Sequence, residues 1–162
     1  MIKKRLLTFF SILAIFLIDR LTKIYVINLN SVNENINLHV SSFLNINLIW
    51  NEGIAFGLLS YSEKSFYHLI SILILCIIIY LAFNCFKLQN KDGYFYILIT
   101  GGAIGNLYDR ILFNAVPDFI DFHINDFHWF IFNIADIFIT IGIICLITSE
   151  LFINKKNKDE KF

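Results

Sequence analysis

Four apolar stretches, each long enough to cross the hydrocarbon core of a bilayer, constrain this chain more than any other feature: Leu6 to Ile27, Phe66 to Phe86, Gly93 to Phe113 and Trp129 to Ser149. At 1.5 Å per helical residue, about 21 residues cover a core of ~30 Å. Inside lipid the backbone must satisfy its own hydrogen bonds, so such stretches are expected as helices. The spacing therefore predicts an all-α membrane protein, one membrane-embedded domain over residues 1–162, with four transmembrane helices. Between them lie the connections 28–65 and 114–128, and a polar, flexible tail occupies 154–162. The composition agrees with a membrane setting, 57% of residues being apolar and only 16% charged. A zero net charge with no basic patch argues against nucleic acid as a partner.

The basic start, Lys3-Lys4-Arg5 before Leu6 to Ile18, fits the first part of a cleavable signal peptide. No small-x-small cleavage site follows, and the segment continues through Asp19-Arg20-Leu21-Thr22-Lys23, so we read it as a helix. Lys and Arg set the expected orientation, because basic residues near helix ends favour the cytoplasmic side. They cluster at the N-terminus, at Lys87 and Lys91, and in the tail. Both termini are then expected in the cytoplasm, with the connections 28–65 and 114–128 outside. In the first of these, Leu38, Val40, Leu44, Ile46, Leu48 and Trp50 recur near period two, which predicts a small extracytoplasmic sheet. The second is expected as a loop.

Ionisable groups in hydrocarbon are costly unless paired, which makes them functional candidates. Asp19 and Asp109 lie about 20 to 24 Å along helices running outward, and Asp136 about 10 Å into a helix running inward. All three are expected in the outer third of the membrane. Helical spacing gives each a polar neighbour: Lys23 for Asp19, Asn106 for Asp109 and Asn133 for Asp136. Gly101, Gly102 and Gly105 offer close approach to another backbone or to a substrate. Just beyond the third helix, Pro117 fixes the backbone before Asp118. Asp118 is thereby poised to meet Asp136, and two carboxylates a few Å apart divide into one ionised and one protonated.

Other chemistries find less support. The run Asp121-x-His123-x-x-Asp126-x-His128 contains metal-ligand residue types, but no helical His-Glu-x-x-His accompanies it, and we read its histidines, with His39 and His68, as interfacial residues. No Gly-x-Ser-x-Gly elbow occurs. Cys76, Cys85 and Cys145 have neither metal-knuckle nor disulfide spacing and are expected as small core residues.

Five segments in order carry a resemblance: Asp19-Arg20-Leu21-Thr22-Lys23, Asn51-Glu52-Gly53-Ile54-Ala55-Phe56-Gly57, Gly101 through Arg110, Val116-Pro117-Asp118-Phe119, and Phe132-Asn133-Ile134-Ala135-Asp136. Over nearly its whole length the chain resembles the lipoprotein signal peptidases, or type II signal peptidases. The resemblance implies an aspartic endopeptidase of the bacterial cytoplasmic membrane, acting near the outer leaflet on prolipoproteins that carry diacylglycerol and cutting just before the lipidated cysteine. It implies Asp118 and Asp136 as the catalytic pair, and Asn51, Gly53, Asn106, Arg110 and Asn133 as substrate-binding residues. Asp19, Lys23 and Asp109 fall into supporting roles. It implies no metal or organic cofactor, and membrane lipid and the prolipoprotein as partners of a monomer. Two departures from the family pattern are Asn114, where glycine is usual, and Pro117, where an aliphatic residue is common. Asn tolerates the left-handed backbone that glycine would supply, so the local geometry is expected to survive.

A proton-coupled transporter built on Asp19, Asp109 and Asp136 is the rival from another class. Against it, these acids gather near one face, and no pair of broken half-helices appears. A presenilin-like protease is a third possibility, but its Gly-x-Gly-Asp signature is absent.

Overall fold

The computed structural model describes residues 2–33, 36–53, 64–87, 92–125 and 127–159. Residues 54–57 of the second matching segment and Asp126 lie outside them. Four helices form: α1 (Ile2–Asn33), α2 (Lys64–Lys87), α3 (Asp92–Phe113) and α4 (Ile134–Asp159). Helix α3 is the centre of the bundle, packing against the other three. Its glycines make this possible. A Cβ on Gly102 would stand 2.5 Å from the Ala135 carbonyl oxygen of α4, and one on Gly105 would stand 2.5 Å from Asp19 Oδ2 of α1. They admit neighbouring helices, the first of the two roles expected of them.

Among the described residues, two helices carry segments apolar and long enough to cross a membrane on length and composition alone, Leu69–Lys87 and Ile134–Phe152. Charged residues interrupt α1 and α3. Large apolar side chains point away from the bundle, among them Leu69, Leu73, Ile79 and Phe83 of α2 and Ile144 and Leu151 of α4. In water such a surface would aggregate, whereas in lipid it is the solvated face. Of the cysteines only Cys85 is a core residue, its Sγ 3.3 Å from Thr100 Oγ1. Cys76 is exposed and Cys145 half-buried, contrary to expectation, because a small apolar side chain on an outward-facing helix surface has no reason to avoid lipid.

Strands β1 (Asn37–Ser41), β2 (Leu44–Asn51), β3 (Val116–Ile124) and β4 (Phe127–Phe132) form one antiparallel sheet in the order β1-β2-β3-β4. The first hairpin is the sheet expected in the 28–65 connection. The second connection is no loop: β3 and β4 form a hairpin, and β3 pairs with β2. Its turn holds Asn125 at φ 52°, between the paired Ile124 and Phe127. Asn is one of the few residues that adopt this conformation readily. Pro117 is tolerated because β4 pairs with β3 only from Ile120 to Ile124, so around Pro117 the strand has one neighbour, β2.

This sheet also moves the start of the fourth helix. The expected helix from Trp129 begins at Ile134, and Phe127–Phe132 is a strand. The run Phe-His-Trp-Phe-Ile-Phe is aromatic and β-branched, which suits a pleated surface, and the helix start is set by Asn133. Helix α4 continues through Asp159, across the start of the segment expected as a flexible tail. A helix already nucleated extends readily into Lys-rich sequence.

Candidate active site

Asn133 is the hinge of the site. It caps α4: its Oδ1 accepts from the Asp136 N–H at 3.1 Å, while Asp136 Oδ2 accepts from the Asn133 N–H at 3.1 Å. This reciprocal pair is the arrangement of a capping box, with Asn and Asp in the two roles. The remaining donor of Asn133, Nδ2, reaches Asp118 Oδ1 on β3 at 2.6 Å. One fully buried residue thus bonds both carboxyl groups, Asp118 through its side chain and Asp136 through its backbone N–H. Asp136 therefore stands in the first turn of α4 and not seven residues into a helix as expected, since β4 occupies the preceding positions.

Each acid has a second amide. Asn51, at the end of β2, donates Nδ2 to Asp118 Oδ2 at 2.9 Å and accepts the Gly53 N–H at 3.0 Å. Asn106 of α3 donates Nδ2 to Asp136 Oδ1 at 2.8 Å. The register Asn51↔Val116 places Asn51 close to Asp118, and Trp50 packs edge-on against Phe113 next to it. The two carboxyl groups, with Asn51, Asn106, Arg110 and Asn133, line a cleft of about 300 Å³. A second cleft of about 310 Å³ shares Asp136 and Thr140 and is otherwise lined by Phe130, Phe132, Ile137 and Ile141. Burial pushes the Asp118 carboxyl up to about 6, and the negative charge of Asp136 adds to the shift.

Behind the cleft lies a buried ionic seam. Lys23 Nζ stands 2.8 Å from Asp19 Oδ2 and 2.7 Å from Asp109 Oδ2, and donates to Asn106 Oδ1 at 2.9 Å. Asp109 also pairs with Arg20. Asp19 Oδ1 accepts the Ala135 N–H at 2.9 Å, one of the free donors at the start of α4. The three supporting residues are therefore brought together, and through Asn106 they fix the orientation of Asp136. Asp109 and Asp136 are separate: Asp109 belongs to the seam and does not line the cleft. Arg110 donates to the Asn106 carbonyl at 3.3 Å and to the Gly53 carbonyl at 3.4 Å. Gly53 thus touches the site through its backbone and does not line the cleft. Sequence reasoning missed Arg20 and Thr140. Arg20 carried a readable sign, a cation beside an intramembrane acid, whereas Thr140 carried none.

This arrangement coincides with a strong family likeness. A lipoprotein signal peptidase from Pelagibacter ubique (strain HTCC1062) is 53% identical over 150 residues, 93% of this chain and 90% of the relative. The family described as signal peptidase (SPase) II matches residues 11–152. The chain belongs to the lipoprotein signal peptidases. A lipoprotein signal peptidase from Rickettsia bellii (strain OSU 85-389) is 40% identical, over 93% of this chain and 76% of its own. A bacterial membrane enzyme solved at 2.3 Å resolution superposes with a TM-score of 0.69 at 33% identity, covering 93% of this chain and 90% of that one. Another, solved at 1.9 Å, gives 0.65 at 30% identity, over 89% of this chain and 92% of that one. As a lipoprotein signal peptidase the chain is an aspartic peptidase of family A8 and a bacterial membrane enzyme acting on prolipoproteins. The departure at Asn114 is accommodated in this peptidase as its residue type allows. Asn114 adopts φ 53° and its N–H bonds the Arg110 carbonyl at 3.1 Å, closing the end of α3.

Proposed function

We propose that Asp118 and Asp136 are the catalytic pair, that all four helices cross the bilayer with both termini cytoplasmic, and that the sheet lies on the extracytoplasmic side. The observation that carries the assignment is their geometry: two carboxyl groups from different elements line one cleft, each held by two amide donors, with Asn133 bonded to both. One carboxylate takes a proton from water as that water attacks the scissile carbonyl. The other, protonated, donates a hydrogen bond to the carbonyl oxygen and later yields its proton to the leaving amine. Asn51, Asn106, Arg110 and Asn133 offer donors and acceptors to an extended peptide whose backbone must find partners in lipid. The apolar cleft that shares Asp136 and Thr140 suits a fatty or apolar group beside the scissile bond.

The substrate is then a prolipoprotein bearing diacylglycerol, cut just before the lipidated cysteine by a monomeric enzyme. A cleft opening among lipid-facing apolar residues receives a substrate whose lipid never leaves the membrane. The test is to incubate the purified protein with a diacylglyceryl-modified precursor and with its unlipidated twin. A cut before the cysteine in the lipidated precursor alone is expected. Equal cutting of both, or of neither, rejects the substrate assignment.

A further inference from the structure

We propose that Asp121, His123 and His128 form a site for one divalent transition-metal ion of the zinc class, at the turn end of the β3–β4 hairpin and separate from the catalytic cleft. Residues Asp121 and His123 are two apart on β3, and period-two alternation puts them on one face of the sheet. His128 is the direct cross-strand partner of His123, so it joins them there. The register shift between Phe122 and His123 is a bulge, a device that re-aims side chains. One donor atom from each of the three residues lies within 4.8 Å of the others. Tetrahedral zinc with bonds of ~2.0 to 2.1 Å sets its donors about 3.4 Å apart, so small side-chain rotations separate this arrangement from a coordinated one.

A second observation points to a ligand. His123 is 7% exposed, and its Nδ1 is sealed from solvent with no hydrogen-bond partner among the described residues. An orphaned ring nitrogen in a buried site costs free energy unless something binds it. The two rings stack with centroids 5.2 Å apart, and His128 Nδ1 stands 2.8 Å from Asp121 Oδ2. The contact between Asp121 and His128 accounts for those two but leaves His123 unexplained, whereas a shared cation accounts for all three. Two imidazoles and one carboxylate suit a borderline cation better than Mg²⁺ or Ca²⁺, which prefer all-oxygen sets. Three protein donors leave a fourth position for water. Bound there, the ion ties β3 to β4, the strands that carry Asp118 and lead into Asn133.

Binding of Co²⁺ and Zn²⁺ to the purified, chelator-treated full chain in detergent tests this without recourse to activity. One saturable equivalent, a tetrahedral-type visible absorption with Co²⁺ and a Zn²⁺-dependent rise in Tm are expected. The His128 side chain is 53% exposed, so His128→Gln tests the ligand without burying a new group. It keeps an amide that donates to the buried Asp121 carboxylate, so the chain should fold, and it should weaken binding at least ~10-fold. His39→Gln, on β1 and outside the trio, should bind as the parent does. The proposal is overturned by a parent protein with no saturable binding, by equal binding in His128→Gln, or by loss of binding in His39→Gln.

Discussion

At the scale of single residues, Asn133 does more than its size suggests, holding both acids and starting α4 through one amide and one backbone N–H. Asn133→Ala should lower stability by about 1 to 2 kcal/mol, the usual cost of a lost N-cap. Turnover should fall further than that loss of folded protein explains, which is read as cleavage per folded molecule. Asp118→Asn and Asp136→Asn should each abolish cleavage while leaving the protein inserted. Residues acting as a unit lose nearly everything when one is removed, so the double change should be little worse than either single one. Near-normal turnover in Asp118→Asn beside a dead, folded Asp109→Asn would reassign the pair to Asp109 and Asp136. Asp118 also makes a prediction about stability. Its carboxyl is raised from 3.8 to about 6 in the folded state, so its favourable contribution is complete below about 3.8 and lost as pH rises through about 6. Asn mimics the protonated acid. Relative to the parent, Asp118→Asn should therefore gain Tm as pH rises from about 4 to about 7, and a constant difference would contradict the burial of that charge. Because the proposed mechanism needs one acid ionised and the other protonated, kcat/KM should follow a bell-shaped pH profile, whereas a single sigmoid would point to one working group.

At the scale of elements, α1 and α3 are joined by buried charge in addition to the apolar packing of Ile12 and Ile15 against Ile97. Asp19, Lys23 and Asp109 are fully buried, and Lys23 neutralises part of two carboxylates. Removing one member of a buried ion pair typically costs about 3 to 5 kcal/mol because the partner is left unpaired. Lys23→Met should accordingly lower the yield of folded protein, as should Asp109→Asn, each by more than either lowers turnover per folded molecule. Retention of the parent Tm in Lys23→Met would refute the seam's structural role. Gly105→Ala should act in the same direction, because its Cβ would stand 2.5 Å from Asp19 Oδ2 in a place with no slack. The end of α3 gives the opposite case. Asn114→Gly should be neutral or slightly stabilising at φ 53°, while a β-branched residue such as valine should cost about 1 to 2 kcal/mol there. Thermal denaturation in detergent reads both.

At the scale of the whole molecule, the apolar exterior and the buried charge form one design suited to lipid: side chains that a water-soluble protein would hide face outward, and those it would expose are sealed inside. The distribution of Lys and Arg makes a topological prediction. A reporter fused at Lys161 should behave as cytoplasmic, and one inserted in the 28–65 connection as exported. The reverse pattern would place the cleft on the wrong side for an exported precursor. Helix number, the first β-hairpin, the family and the Asp19–Lys23 and Asn133–Asp136 pairings were legible in the sequence alone. Each depends on something local: the length of an apolar run, a two-residue alternation, an i,i+3 or i,i+4 spacing, a contiguous motif. What the tertiary structure decided is nonlocal. Asp109 was expected beside Asn106 on its own helix, and its partners are Arg20 and Lys23 of α1, more than eighty residues away. The second connection was expected as a loop, and it supplies β3 to an existing sheet edge because β2 offers unpaired backbone groups that a strand satisfies. That pairing displaces the start of α4 to Asn133 and so sets the position of Asp136 against Asp118. The sequence by itself names the two acids, while their meeting depends on strand register and on charges paired across helices, which no single stretch of sequence encodes.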